Sequence, residues 1–212
     1  MQLLMSASER YQHGDFDQAQ ALAERALKAD PRSGDAHTLL GVIAETRGDA
    51  RTAGVHYGKA VEIAPRNGLY ANNHGNWLCA NGRPVESLAW FDRAIADPAF
   101  PARAQAMANA GGCALKAGQP EQAEANWRGA LALDPRTGSA LSGMARMKFA
   151  SGEYLGARAF TERWLALLPD DPEGLRLAAQ VEQKLGDNAA ASRYLSRLQA
   201  IPSGPGSAPR TQ

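Results

Sequence analysis

Four histidines, two cysteines and a scatter of carboxylates are the side chains through which this 212-residue chain could bind a metal or catalyse a reaction. His13, His37, His56 and His74 fall in different stretches, and no His-Glu-x-x-His or Cys-x-x-Cys run gives them zinc-ligand spacing. Neither a metal site nor a cofactor is expected. Phosphate cradling would need a glycine-rich loop opening a helix, and acyl transfer a Gly-x-Ser-x-Gly elbow; the chain has neither. Asp15, Asp49 and Asp187 each follow a glycine and read as solvated first-turn acids near helix N-termini, where the helix dipole favours them. These side chains point away from an enzyme.

Charge narrows the partners. With 23 basic against 22 acidic side chains, the net charge of +1 leaves no cationic surplus to neutralise phosphates, so nucleic acid is not an expected partner. No stretch approaches the ~18 apolar residues of a membrane helix. The first residues, MQLLMSASERYQ, have neither a basic n-region nor a continuous apolar h-region, so the chain as given shows no export signal. Alanine dominates and strand-favouring residues are sparse, which excludes all-β folds.

The elements that must position any site come from a repeat. GDFDQAQALAERALKADPR from Gly14 and GDARTAGVHYGKAVEIAPR from Gly48 share Gly, Asp, Ala, Ala, Pro and Arg at a shift of 34. The glycine recurs at Gly82, Gly118, Gly152 and Gly186; the one longer interval, 36 residues, holds Asp97-Pro98-Ala99-Phe100-Pro101. Each period holds two stretches with helical apolar spacing, joined at the glycine and closed by Pro31, Pro65, Pro98, Pro135, Pro169 or Pro202. The glycine suits a left-handed position after the first helix, and the proline stops the second. Ala19, Ala53, Ser87, Ala123, Ala157 and Ala191 place a small residue where paired helices must approach closely.

These units resemble tetratricopeptide repeats, helix pairs of this period. Leu40, Gly41, Gly48, Ala53, Tyr57, Ala60 and Pro65 match that pattern, as do Gly75, Gly82, Ser87, Phe91 and Ala94, and Gly111, Gly118, Ala123, Trp127, Ala130 and Pro135. The first, fifth and sixth units are looser: Trp164 and Leu198 replace the usual late alanine, and Ala23, Thr161 and Leu195 the aromatic. The resemblance implies an all-α fold, a right-handed superhelical solenoid of six repeats and about twelve antiparallel helices with a concave face. The expected domain is a single solenoid over 1–205, divided at 1–33, 34–67, 68–103, 104–137, 138–171 and 172–205, with 206–212 as a disordered tail.

By repeat register, Leu4, Tyr11, Thr38, Val42, Leu69, Asn72, Asn76 and Leu115 face the concave groove and are the candidate partner-binding residues, with Arg146 and Phe149 further on. Several exposed apolar side chains there suit an amphipathic or extended peptide. Asn73 and Asn109 share one repeat position and are expected to act as framework, bonding to backbone between repeats. The dicarboxylate clamp of chaperone-binding tetratricopeptide proteins needs cations where this chain has Leu4, Thr38, Asn72 and Ala108, so that reading is discounted. Cys79 and Cys113 fall on neighbouring first helices, either as a disulfide stapling two repeats or as two buried small side chains. A bridge requires Cα atoms within about 7 Å.

Beyond the generic repeat, ANNHGNWLCANGRPVESLAWFDRAIADPAFP (71–101) and NAGGCALKAGQPEQAEANWRGAL (109–131) are similar to the type IV pilus biogenesis and stability lipoproteins, the PilF/PilW pilotin family. Gly152 to Phe160, then Gly186, Asp187, Ala191, Ser192 and Tyr194, continue the likeness. The resemblance implies a non-enzymatic, monomeric scaffold at the periplasmic face of the outer membrane of a Gram-negative bacterium. Its partner would be the pilus secretin, whose outer-membrane localisation and multimerisation it would promote, with pilus assembly and twitching motility dependent on it. Membrane attachment would come through an N-terminal lipid anchor, and no lipobox cysteine precedes Cys79 here. The rival reading is a generic peptide-binding adaptor in the cytoplasm.

Overall fold

The computed structural model describes residues 2–201. Pro202 and the expected tail at 206–212 lie outside the described residues. Among the described residues there are twelve α-helices and no strand: α1 (Gln2–Gln12), α2 (Phe16–Ala29), α3 (Gly34–Thr46), α4 (Ala50–Ile63), α5 (Gly68–Ala80), α6 (Pro84–Ala96), α7 (Arg103–Lys116), α8 (Pro120–Leu133), α9 (Gly138–Ala150), α10 (Tyr154–Leu167), α11 (Pro172–Leu185) and α12 (Asn188–Ala200). None is long and apolar enough to cross a membrane. The helices divide between two compact units, Met1–Leu133 and Asp134–Gln212.

Short-range chemistry sets the helix ends. Gly14, Gly48, Gly82, Gly118, Gly152 and Gly186 all have φ between 74° and 84°, the left-handed region where a Cβ is strained, and they turn each first helix into its partner. The acids after them do more than sit in a first turn. Asp15, Asp49 and Asp187 are N-caps, accepting from the backbone N–H groups of Gln18, Thr52 and Ala190 at 3.3, 3.0 and 2.9 Å. Pro84, Pro120 and Pro172 open α6, α8 and α11, where a missing N–H costs nothing.

In the first unit, α1 to α8 pack as four antiparallel pairs around a thin core. The small residues following the turns, Ala19, Ala53, Ser87 and Ala123, have no exposed surface. Aromatic side chains then fill the space that glycine leaves. A Cβ on Gly41 would stand 2.6 Å from Tyr57, and one on Gly54 2.2 Å from Trp77, whose indole N–H also donates to Ala50 O at 2.8 Å. The longer segment after α6 has a packing reason. Phe100 is buried with Ala71, Ala94 and Ala106, and the Asp97 carboxylate accepts from the N–H groups of Gly68 and Ala99 at 2.7 and 2.9 Å.

In the second unit, α9 to α12 form two further pairs. Leu165, Leu175 and Ala178 make a buried cluster, with Tyr194, Leu198 and Ile201 against it. Thr161, standing where the second, third and fourth repeats carry an aromatic, is 1% exposed and donates to Ala157 O at 2.7 Å. Glu182 is the buried charge of this unit; the Arg158 guanidinium grips it through two bonds, Nε donating to Oε1 at 2.8 Å and Nη2 to Oε2.

Candidate functional site

A groove of about 760 Å³ opens on the first unit, between α1, α3 and α5. This is the size of a site for several side chains of a partner. Helical periodicity builds its walls. On α1 the steps of four from Leu4 to Ser8 to Gln12, and from Met5 to Glu9, bring five side chains to one face. On α3 the steps Asp35, Thr38, Leu39 and Val42 do the same, and α5 adds Leu69. Met5 and Leu69 remain 69% and 45% exposed, an apolar surface without a partner in the fold.

Leu4, Thr38, Val42 and Leu69 thus converge as the repeat register placed them. Other sequence candidates lie elsewhere. Tyr11 sits outside the groove lining: its hydroxyl hydrogen-bonds Thr46 Oγ1 on α3 at 2.9 Å, and its ring leans on Phe16. Asn72 is half-buried in a run of carboxamides, donating to Asn73 Oδ1 and accepting from Asn109 Nδ2 at 3.4 Å, while Gln105 donates to Asn109 Oδ1 at 2.9 Å. Asn73 and Asn109 were expected to bond backbone; these contacts instead join side chain to side chain across α5 and α7. Asn76 is half-buried on α5, and Leu115 is 47% exposed on α7; neither lines the groove. In the second unit, Arg146 pairs with Glu173 at 3.1 Å and Phe149 leans on Tyr154.

Met5, Ser8, Glu9, Gln12, Asp35 and Leu39 also line the groove and were not singled out from the sequence. Their signal was present in the helical period: Met5 and Leu39 adjoin Leu4 and Thr38, Ser8 stands four after Leu4 and Asp35 three before Thr38, while Glu9 and Gln12 follow a further four residues after Met5 and Ser8. Polarity concealed Glu9 and Asp35. The Asp35 carboxylate accepts a 2.7 Å hydrogen bond from the Tyr70 hydroxyl through Oδ1; burial and this anion push the Tyr70 phenol upward and keep it protonated. The Thr38 hydroxyl, on a residue 9% exposed, has no hydrogen-bond partner among the described residues.

Cys79 and Cys113 are joined by a disulfide, with Cα atoms 5.9 Å apart, which ties α5 to α7. His37 and His56 meet with Nδ1 atoms 3.0 Å apart, one donating and the other accepting, between α3 and α4. Burial lowers both imidazoles, and each has mixed charged neighbours: Lys59 and Glu62 around His37, Glu24 near His56. Among the described residues, no three His, Cys, Asp or Glu side chains are grouped to hold a metal ion.

Tetratricopeptide-repeat family models match residues 4–68 and 114–181. The type IV pilus assembly protein PilF of Pseudomonas aeruginosa is 28% identical over 190 residues, covering 90% of this chain and 75% of PilF. The solved structure of PilW, a widely conserved type IV pilus biogenesis factor, is 32% identical, with a TM-score of 0.86 over 94% of this chain and 91% of that one. The solved structure of Pseudomonas aeruginosa PilF gives 26% identity and a TM-score of 0.87 over 95% and 91%. With the helix pairs, turn glycines and buried small residues already described, this likeness over nearly the whole chain establishes that it belongs to the PilF/PilW family of tetratricopeptide-repeat proteins of type IV pilus biogenesis.

Proposed function

We propose that this protein is a pilotin-like scaffold whose α1/α3/α5 groove holds a segment of the pilus secretin and so promotes its outer-membrane localisation and multimerisation. The observation that carries the reading is the groove itself: Leu4, Met5, Leu39, Val42 and Leu69 expose apolar surface along one trough, and such surface is stabilised when a partner covers it. Family membership supplies the pilus context. The Cys79–Cys113 disulfide supports a periplasmic location, since structural disulfides persist in oxidising compartments and are rare in the cytosol. No chemistry of bond making is assigned to the groove; its work is non-covalent binding.

Affinity capture from a detergent-solubilised envelope tests the reading, with the purified protein, a Val42→Asp variant in the groove and a Val55→Asp variant on α4, where Val55 is 60% exposed outside it. Secretin recovered with the parent and Val55→Asp, and lost with Val42→Asp, is the expected pattern. Secretin recovered equally with Val42→Asp would refute the groove assignment, and recovery of soluble cytoplasmic proteins alone would refute the pilotin role.

A further inference from the structure

We infer that the groove selects segments carrying lysine or arginine on either side of an apolar stretch, read by Glu9 and Asp35; this rests on the groove being the docking site. Glu9 and Asp35 are the charged side chains among those lining the groove, and both are acids. Among the described residues neither has an ion-pair partner. Asp35 is held in place by the Tyr70 hydroxyl on Oδ1, which leaves Oδ2 open to a cation.

Placement makes the pair selective. Glu9 stands late in α1 and Asp35 at the start of α3, and these first helices of successive repeats run in the same direction. The 34-residue period sets Glu9 level with Ile43, eight residues along α3 from Asp35. At 1.5 Å per residue that separates the carboxylates by about 12 Å along the groove. Between them lie Leu4, Leu39 and Val42. The matching partner presents an apolar patch with a basic side chain at each end. An acidic segment with the same apolar face is repelled twice, which is how charge gives register and rejects wrong partners.

The test uses two synthetic amphipathic peptides with one shared apolar face and flanks of lysine in one and glutamate in the other. Fluorescence anisotropy with the full chain is expected to show the lysine peptide binding roughly tenfold tighter at low salt, with the contrast shrinking at high salt. Glu9→Lys, at an exposed side chain, should abolish or reverse the preference; Asp35→Asn, which can keep an acceptor for Tyr70, should reduce it. Equal affinity for the two peptides, or an unchanged preference in Glu9→Lys, overturns the inference. Val42→Asp separates the two levels. If it abolishes binding of both peptides while no charge preference exists, docking stands and selectivity falls; if neither peptide binds the parent chain, both fall.

Discussion

The indole of Trp127 occupies the space a side chain on Gly111 would need: a Cβ there would stand 2.5 Å from Trp127 Nε1, and the same N–H donates to Ala108 O at 3.1 Å. Gly111→Ala therefore overpacks the α7/α8 contact and should cost about 1–3 kcal/mol. The neighbouring Gly112 is the control, because a Cβ there meets nothing within 4 Å. Gly112→Ala should stabilise the same helix by about 0.5–1 kcal/mol. Urea unfolding of the two variants checks both signs; a neutral Gly111→Ala would contradict the packing described.

The Cys79–Cys113 bond closes a loop over a sequence separation of 34. Loop-closure entropy makes it worth about 3–4 kcal/mol. Reducing agent should lower the urea midpoint of the parent protein and leave a Cys79→Ala/Cys113→Ala variant unaffected. A midpoint insensitive to reductant would show that the α5/α7 contact holds without the bridge.

His37, His56 and His74 all titrate below the ordinary imidazole range because burial disfavours the cation. The unfolded chain then binds protons that the folded chain does not, so stability falls as pH drops below about 6.5, towards the folded values. His37 and His56 also face each other, with Lys59 opposing and Glu62 and Glu24 favouring the charged forms. Unfolding midpoints at pH 7.5 and at pH 5 should differ in the parent and differ less in His37→Gln/His56→Gln. An equal loss in both would assign the effect elsewhere.

Arg158 and Glu182 predict an asymmetry. Arg158→Ala leaves the Glu182 carboxylate, 4% exposed, without its cation, whereas Glu182→Leu removes the buried charge and leaves a guanidinium that reaches solvent. Arg158→Ala should be the more destabilising of the two in thermal unfolding. The reverse order would mean that the pair contributes through arginine packing instead.

Much of the fold was legible because its determinants are local and periodic. The turn glycines announce a left-handed backbone, and they adopt it. Ala19, Ala53, Ser87, Ala123, Ala157 and Ala191 announce close helix approach and are buried. The site was only half legible. Leu4, Thr38, Val42 and Leu69 follow from register, but Tyr11 carries a hydroxyl that finds Thr46 across 35 residues, a pairing no periodicity reports. Asn72 likewise turns toward Asn109, 37 residues on. Glu9 and Asp35 are acids and so add nothing to an apolar stripe, although the α3 period that carries Thr38 and Val42 also carries Asp35.

Photocrosslinking in the pilus-bearing cell tests the docking claim most directly. A benzophenone side chain at Ser8 or Met5, inside the groove, is compared with one at Val85 on α6, which is 61% exposed and outside it. Crosslinks to the secretin from Ser8 and Met5, absent from Val85 and lost on adding Val42→Asp, are the expected result. Crosslinks to the secretin from Val85 alone, with none from the groove positions, would contradict it.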